Sequence, residues 1–166
     1  MTTAPAMITR RAELADVSRI ALLGPQLFAN AASLMGPVDE PALAAALTVG
    51  IRDNLLCVIM ASVDDTIVGV HIASQGSAVF SGAVVVQSVT TWVSPEFRRR
   101  GAAAALLAQA EAWAREIGAV AMFAGVPDDY SAHAKRGDSG AVRGVATDFY
   151  VSRGYRQAET IMAKGI

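Results

Sequence analysis

Apolar positions along this chain fall into two kinds of run. Leu55-Leu56-Cys57-Val58-Ile59-Met60-Ala61, Thr66-Ile67-Val68-Gly69-Val70-His71-Ile72-Ala73 and Val84-Val85-Val86-Gln87-Ser88-Val89-Thr90-Thr91-Trp92-Val93 are short and rich in β-branched residues, as strands are. The first is apolar throughout, which suits a strand covered on both faces. Ser62-Val63-Asp64-Asp65 predicts an antiparallel hairpin between the first two, with a loop of about three or four residues. After Gly101 the spacing changes. Ala103, Leu106, Ala110, Trp113 and Ile117 recur at helical period, Leu107 and Ala114 widen the stripe, and Glu111 and Arg115 fall on the polar side in the favourable order. Gly118 is placed to end that helix in the left-handed conformation. Ala119-Val120-Ala121-Met122-Phe123-Ala124 then reads as a strand. A strand–helix–strand crossover of this kind places its two strands parallel in one sheet.

The flanking pattern is weaker. Residues 1–5 read as disordered and Met7 to Ala12 as a short strand. Asp16 is placed to cap a helix carrying Val17, Ile20, Ala21, Leu22, Leu27 and Phe28, which Gly24-Pro25 must kink or end. Asp39-Glu40-Pro41 opens a short helix, Ala42 to Val49, expected to close at Gly50. Gln75 to Gly82 reads as a flexible connection in which Val79 and Phe80 have no element to serve. From 125 to 145, Pro127, Asp128, Asp129, Gly137, Asp138, Ser139, Gly140 and Gly144 forbid a long regular element, with room for a helical turn or two at Tyr130 to Arg136. Ala146 to Gly154 reads as a helix closed by glycine, and Tyr155 to Ala163 as a last strand. No internal repeat or linker divides the chain, so 1–166 is expected to be one domain of mixed α/β class.

Composition narrows the field by exclusion. With 14 Lys+Arg against 15 Asp+Glu, the formal net charge of −1 argues against bulk attraction to nucleic acid or an anionic membrane. One cysteine (Cys57) and two histidines (His71, His133) exclude a disulfide framework and leave too few ligands for a structural zinc site; no metal is expected. Cys57 reads as a small core residue and His71, alternating with Val70 and Ile72, as a surface or satisfied strand residue. No apolar run spans a bilayer and no secretory signal is evident, so the expected location is cytoplasmic.

Chemistry concentrates at Ser94-Pro95-Glu96-Phe97-Arg98-Arg99-Arg100-Gly101, between strand and helix. A helix N-terminus carries partial positive charge and unpaired N–H groups, so three arginines there oppose the local rule. A bound polyanion would resolve the conflict. The turn lacks the Gly-x-x-x-x-Gly-Lys-Ser/Thr of a P-loop and the three glycines of a dinucleotide fingerprint. Arg98-x-x-Gly101-x-Ala103 remains. Gly101 has no side chain and Ala102 and Ala103 minimal ones, so a phosphate has close access to the backbone N–H groups, with arginines to bracket its oxygens.

Val93 to Ala103 resembles the Arg/Gln-x-x-Gly-x-Gly/Ala motif of GCN5-related N-acetyltransferases (GNAT). The order of predicted elements from about residue 7 to 163 is similar to that family's, and Ala146-x-x-Phe149-Tyr150-x-x-x-Gly154-Tyr155 resembles its Phe-Tyr-x-x-x-Gly-Phe/Tyr segment. The resemblance implies a mixed, mainly antiparallel central sheet with helices on both faces and a splayed strand pair at the cofactor site. It implies acetyl-coenzyme A as co-substrate, held by backbone groups of Thr91, Trp92 and Val93 along the pantetheine arm. Arg98, Arg99, Arg100, Gly101, Ala102, Ala103 and Ala104 would hold its pyrophosphate. Tyr150 would donate a proton to the departing thiolate. The implied reaction is direct acetyl transfer to a primary amine of a small molecule or peptide, and homodimers are common for the fold.

Two departures stand out. Where family members often carry Asn, seven residues before the tyrosine, this chain has Arg143. The glutamate that many use as general base has no counterpart in Val84 to Val93; Asp128, Asp129, His133 and Asp148 lie near the expected cleft in sequence, and a water chain is the default base. These departures keep open a non-catalytic acyl-coenzyme A-binding or interaction domain, and beyond it an unrelated nucleotide-binding α/β protein. No motif identifies the acceptor.

Overall fold

The computed structural model describes residues 6–29, 31–125, 135–136, 142–143 and 145–156. Expectations for 1–5, for most of 125–145 and for the closing strand beyond Arg156 lie outside them. In chain order, β1 (Ile8–Arg11) leads to α1 (Val17–Ala21), α2 (Gly24–Leu27), α3 (Ala32–Met35) and α4 (Glu40–Arg52). Then come β2 (Leu56–Val63), β3 (Thr66–Ser77), β4 (Val84–Val93), α5 (Ala102–Glu116) and β5 (Ala121–Ala124). Last are β6 (Lys135–Arg136), β7 (Val142–Arg143) and α6 (Val145–Val151). The elements pack as two compact units, with α3, β6, β7 and α6 in the second and the rest in the first.

The first unit is built on a five-stranded sheet in the order β1-β2-β3-β4-β5. Its pairs are antiparallel except β4 with β5, which run parallel as the crossover requires. Helices cover both faces, so the central strands are buried whichever way a side chain alternates. Ile59, Ala61, Ala73 and Val86 pack under the α5 stripe of Leu106, Ala110, Trp113 and Ala114. On the opposite face Val58, Met60, Val70 and Ile72 pack with Val17, Ile20, Leu27 and Leu47. Gln109 of α5 donates to the Thr9 carbonyl and hydroxyl at 3.0 and 2.9 Å, and Arg11 pairs with Glu116, tying the helix to the β1 edge.

Several local expectations give way to packing. The β2–β3 loop is two residues, Asp64 and Asp65, both in the left-handed region (φ 47° and 62°), the backbone that a tight hairpin needs. β3 continues through Gln75, Gly76 and Ser77, which pair with Val86, Val85 and Val84. The flexible connection therefore shrinks to a tip from Ala78 to Ala83, where Val79 and Phe80 stand fully exposed. Asp16 ends a 3-10 turn (Leu14–Asp16) and does not cap α1 with its side chain. Its carboxylate takes a bidentate pair from Arg10 at 2.7 and 2.8 Å and the Glu13 N–H at 2.8 Å, which holds its pKa below the ordinary value.

Helix α4 starts as predicted, with the Asp39 carboxylate accepting from Ala42 N–H at 2.9 Å, but it does not stop at Gly50. Gly50 is buried inside it because a Cβ there would lie 2.3 Å from Leu56 Cδ1 and 2.4 Å from Cγ. Asn54 (φ 54°) supplies the left-handed residue instead. The Leu55 N–H then returns to the Gly50 carbonyl at 2.8 Å and the Asn54 N–H to Ile51 at 3.2 Å. Asn54 also accepts the Trp113 indole N–H at 3.2 Å, satisfying the polar atom of a buried tryptophan.

In the second unit, β6 and β7 form an antiparallel pair with Lys135 opposite Arg143. Helix α6 closes as expected at Gly154 (φ 86°), with Tyr155 N–H on the Tyr150 carbonyl at 3.2 Å and Gly154 N–H on Val151 at 3.0 Å.

Candidate functional site

The site in the first unit begins where β4 loses a neighbour. β5 pairs only with Val85 to Ser88 of β4, ending at Ala124 opposite Ser88. One residue further on, Val89 is the extra residue of a bulge, since Ala73 pairs with Ser88 and Ile72 with Thr90. From there to Val93 the strand is paired on its β3 side alone among the described residues. Ser94 N–H donates to the Val68 carbonyl of β3 at 2.8 Å. By alternation, the backbone groups of Val93 and Thr91 therefore face the open edge, and those of Trp92 face β3. The Val93 carbonyl is engaged from that edge by Arg98 Nε at 3.1 Å.

The turn then presents a cationic rim. Pro95–Phe97 forms a 3-10 turn, Arg98 is extended, Arg99 is left-handed at φ 63°, and Gly101 is left-handed at φ 84° as the N-cap residue of α5. Two left-handed residues two positions apart reverse the chain so that α5 starts immediately behind the arginines. No side chain caps the helix. Its first ring closes from Ala105 N–H to the Gly101 carbonyl at 3.0 Å, which leaves the N–H groups of Ala102, Ala103 and Ala104 at the open end. Arg98, Arg99 and Arg100 are all exposed, Arg100 lies over the Phe97 ring at 5.4 Å, and none is within ion-pair distance of a carboxylate among the described residues. Unpaired N–H groups, the helix dipole and guanidinium charge thus coincide, a donor set suited to a phosphate-type anion.

Sequence reasoning missed the polar groups behind this edge. His71 is fully buried, not at the surface; its Nδ1 lies 2.7 Å from Thr91 Oγ1 and its Nε2 has no hydrogen-bond partner among the described residues. Burial pushes its pKa down to about 4, so the ring is neutral at ordinary pH. On the other face, Thr90 Oγ1 donates to the Leu27 carbonyl of α2 at 2.7 Å. The available signal was the unbroken apolar run of β2: a strand buried on both faces implies that its neighbour's His is buried as well. Cys57 behaves as read, buried, with its thiol pushed up to about 11.

The remaining candidates belong to the second unit or lie outside the described residues. Tyr150 is half-buried on α6, edge-on to Phe149 at 5.3 Å and to Tyr155 at 5.2 Å between ring centres. Arg153 covers the Phe149 ring at 3.8 Å, and Asp148 is exposed. Asp128, Asp129 and His133 lie outside the described residues. Among those described, no cluster of His, Cys, Asp or Glu could hold a metal ion, and no helix is long and apolar enough to cross a membrane.

Solved structures share this architecture. An aminoglycoside N-acetyltransferase, AAC(6')-Iy, in complex with CoA superposes with a TM-score of 0.76 at 18% identity, covering 99% of this chain and 97% of that one. An aminoglycoside acetyltransferase from an uncultured soil metagenomic sample, in complex with sisomicin, gives 0.68 at 17% identity over 96% and 95%. A Trypanosoma brucei acetyltransferase gives 0.69 at 17% over 97% and 100%. At these identities the likeness is one of fold. Comparison with curated proteins finds no match. The sequence profile of the acetyltransferase (GNAT) family matches residues 28–137, more than half of the chain and inclusive of the arginine turn. This protein therefore belongs to the GNAT family and is an N-acetyltransferase by class.

Proposed function

We propose that the chain moves the acetyl group of acetyl-coenzyme A directly to a primary amine of a small molecule or peptide, within a ternary complex, and that both compact units belong to one catalytic domain. One observation carries the proposal: among the described residues, the α5 N-terminus has no side-chain cap, lies under three arginines with no carboxylate within ion-pair distance, and adjoins a strand edge with no partner strand. In this reading Arg98, Arg99, Arg100 and Gly101, with the N–H groups of Ala102, Ala103 and Ala104, hold the pyrophosphate. Thr91 and Val93 offer backbone groups to the amides of the pantetheine arm, and Trp92 packs its ring on the face opposite α5.

The co-substrate supplies a thioester carbonyl. An edge N–H directed at that oxygen stabilises the charge that develops as the amine nitrogen attacks. The C–N bond forms, the C–S bond breaks, the thiolate takes the Tyr150 proton, the amine's surplus proton leaves through water, and water returns a proton to the Tyr150 phenolate. The assignment of Tyr150 rests on the Phe149-Tyr150-x-x-x-Gly154-Tyr155 spacing. A covalent route through Cys57 is disfavoured because its thiol is buried and stays protonated.

Calorimetry with coenzyme A, followed by acetylation of an amine panel that includes an aminoglycoside, tests the reading. Arg100→Glu and Gly101→Asp should weaken coenzyme binding, the first through charge and the second through charge and backbone strain together. Tyr150→Phe should lower turnover with binding retained. Wild-type protein that fails to bind coenzyme A would sink the reading, and binding without acetylation of any amine would reduce it to an acyl-coenzyme A-binding domain.

A further inference from the structure

His71 has a burial that packing alone does not explain. An apolar side chain of similar size would fill its place between Ile59 and Thr91 without leaving a buried nitrogen that has no partner among the described residues, as Nε2 is. What the imidazole adds is the 2.7 Å bond from Nδ1 to Thr91 Oγ1. Thr91 sits in the segment of β4 that has passed the Val89 bulge and lost β5, where among the described residues β3 alone holds the strand in the sheet. Here two successive threonines are tied down on opposite faces, Thr90 to the Leu27 carbonyl of α2 and Thr91 to His71 of β3.

We propose that His71 is a positioning residue, clamping Thr91 to β3 so that the open edge of β4 keeps the register that receives the pantetheine arm. The inference rests on the coenzyme reading above. Either neutral tautomer serves: protonated Nδ1 donates to the Thr91 oxygen, and bare Nδ1 accepts from the Thr91 hydroxyl. The clamp acts on the strand edge and leaves the arginine turn alone, so it separates the two halves of the coenzyme.

The test uses calorimetry with two probes, coenzyme A and ADP, the second having a pyrophosphate but no pantetheine arm. His71→Leu and Thr91→Val should each weaken coenzyme A binding by about five- to tenfold, the loss of one hydrogen bond, and leave ADP binding unchanged. The double variant should be no weaker than either single one, because the bond is broken once. Thr91→Val preserves the side-chain shape and keeps the test valid should His71→Leu fold poorly. Rescue sharpens it: His71→Asn places an amide where Nδ1 stands and should bind nearly as the wild type, whereas His71→Gln, whose amide reaches toward Nε2, should not. Equal losses for both probes, additive single variants, or Asn no better than Leu would overturn the clamp. If the wild type binds no coenzyme A, the site reading fails and takes the clamp with it; if it binds and the variants do not separate, the clamp alone fails.

Discussion

Acidification from pH 7 to pH 5 should remove about 2 kcal/mol of folding stability through His71 alone. Burial lowers its pKa from 6.5 to about 4, and no charged neighbour adds to the shift. In the unfolded chain the ring regains its ordinary pKa, so between the two values only the unfolded state binds the proton. A depressed folded pKa therefore means full stability above about 6.5, a loss as pH falls, and no further change below about 4. The whole window, roughly 2.5 pKa units at about 1.4 kcal/mol each, amounts to between about 3 and 4 kcal/mol, of which rather more than half is gone by pH 5. Urea unfolding at both pH values, on wild type and on His71→Asn, isolates the effect. Asn keeps a polar partner for Thr91 but does not titrate, and carboxylates common to both proteins cancel in the difference. Asp16, held down by Arg10, exerts its own effect below its ordinary 3.8, outside this interval. If both proteins lose the same stability between pH 7 and 5, the imidazole is not buried and neutral as described.

Two further expectations follow from packing. Gly50→Ala should destabilise the protein by about 1 kcal/mol, because overpacking against Leu56 costs roughly 1–3 kcal/mol and outweighs the roughly 1 kcal/mol that Ala gains in a helix. In a Leu56→Ala background, which leaves only the 3.0 Å contact to Cβ, the same change should cost much less, and urea midpoints measure the difference. Cys57 should resist a thiol reagent in the native protein and react once unfolded, and Cys57→Ala should retain acetyl transfer; rapid native labelling with loss of turnover would reinstate a covalent route.

The legible parts of the fold were those set by local period and by chirality. The α5 stripe, the β2–β3–β4 meander and the parallel β4–β5 crossover all emerge from spacing, and the arginine turn from a breach of the helix-dipole rule. What was not legible depends on partners distant in sequence. Gly50 carries the composition of a helix stop, yet it is retained in mid-helix by a leucine six residues on that turns back over it. Gln75-Gly76-Ser77 is loop-like in composition and becomes strand because three valines of β4 lie opposite. His71 alternates as a surface residue would, but in a sheet covered on both faces alternation chooses only which core a side chain enters.

That distinction bears on why the site stands where it does. Between Ser88 and Ala104 the first unit gathers features that each cost stability: a bulge, a non-glycine residue at φ 63° and, among the described residues, a strand half without its second partner and a helix without a side-chain cap under clustered like charge. An ordinary sequence would enter α5 through an extended Ser or Asp N-cap and place an acid in its first turn. Such a cap, however, would occupy the Ala103 or Ala104 N–H and place negative charge where, in the proposed reading, a phosphate approaches. A β5 extended past Ala124 would likewise take up the Thr91 and Val93 groups that an amide-bearing arm would use. The local faults are thus one arrangement: each leaves a donor or an edge unpaired, and they lie consecutively along the path from strand edge to helix end. A chain selected for stability alone would not keep them together, and a chain that binds an anion joined to an amide-bearing arm requires them adjacent.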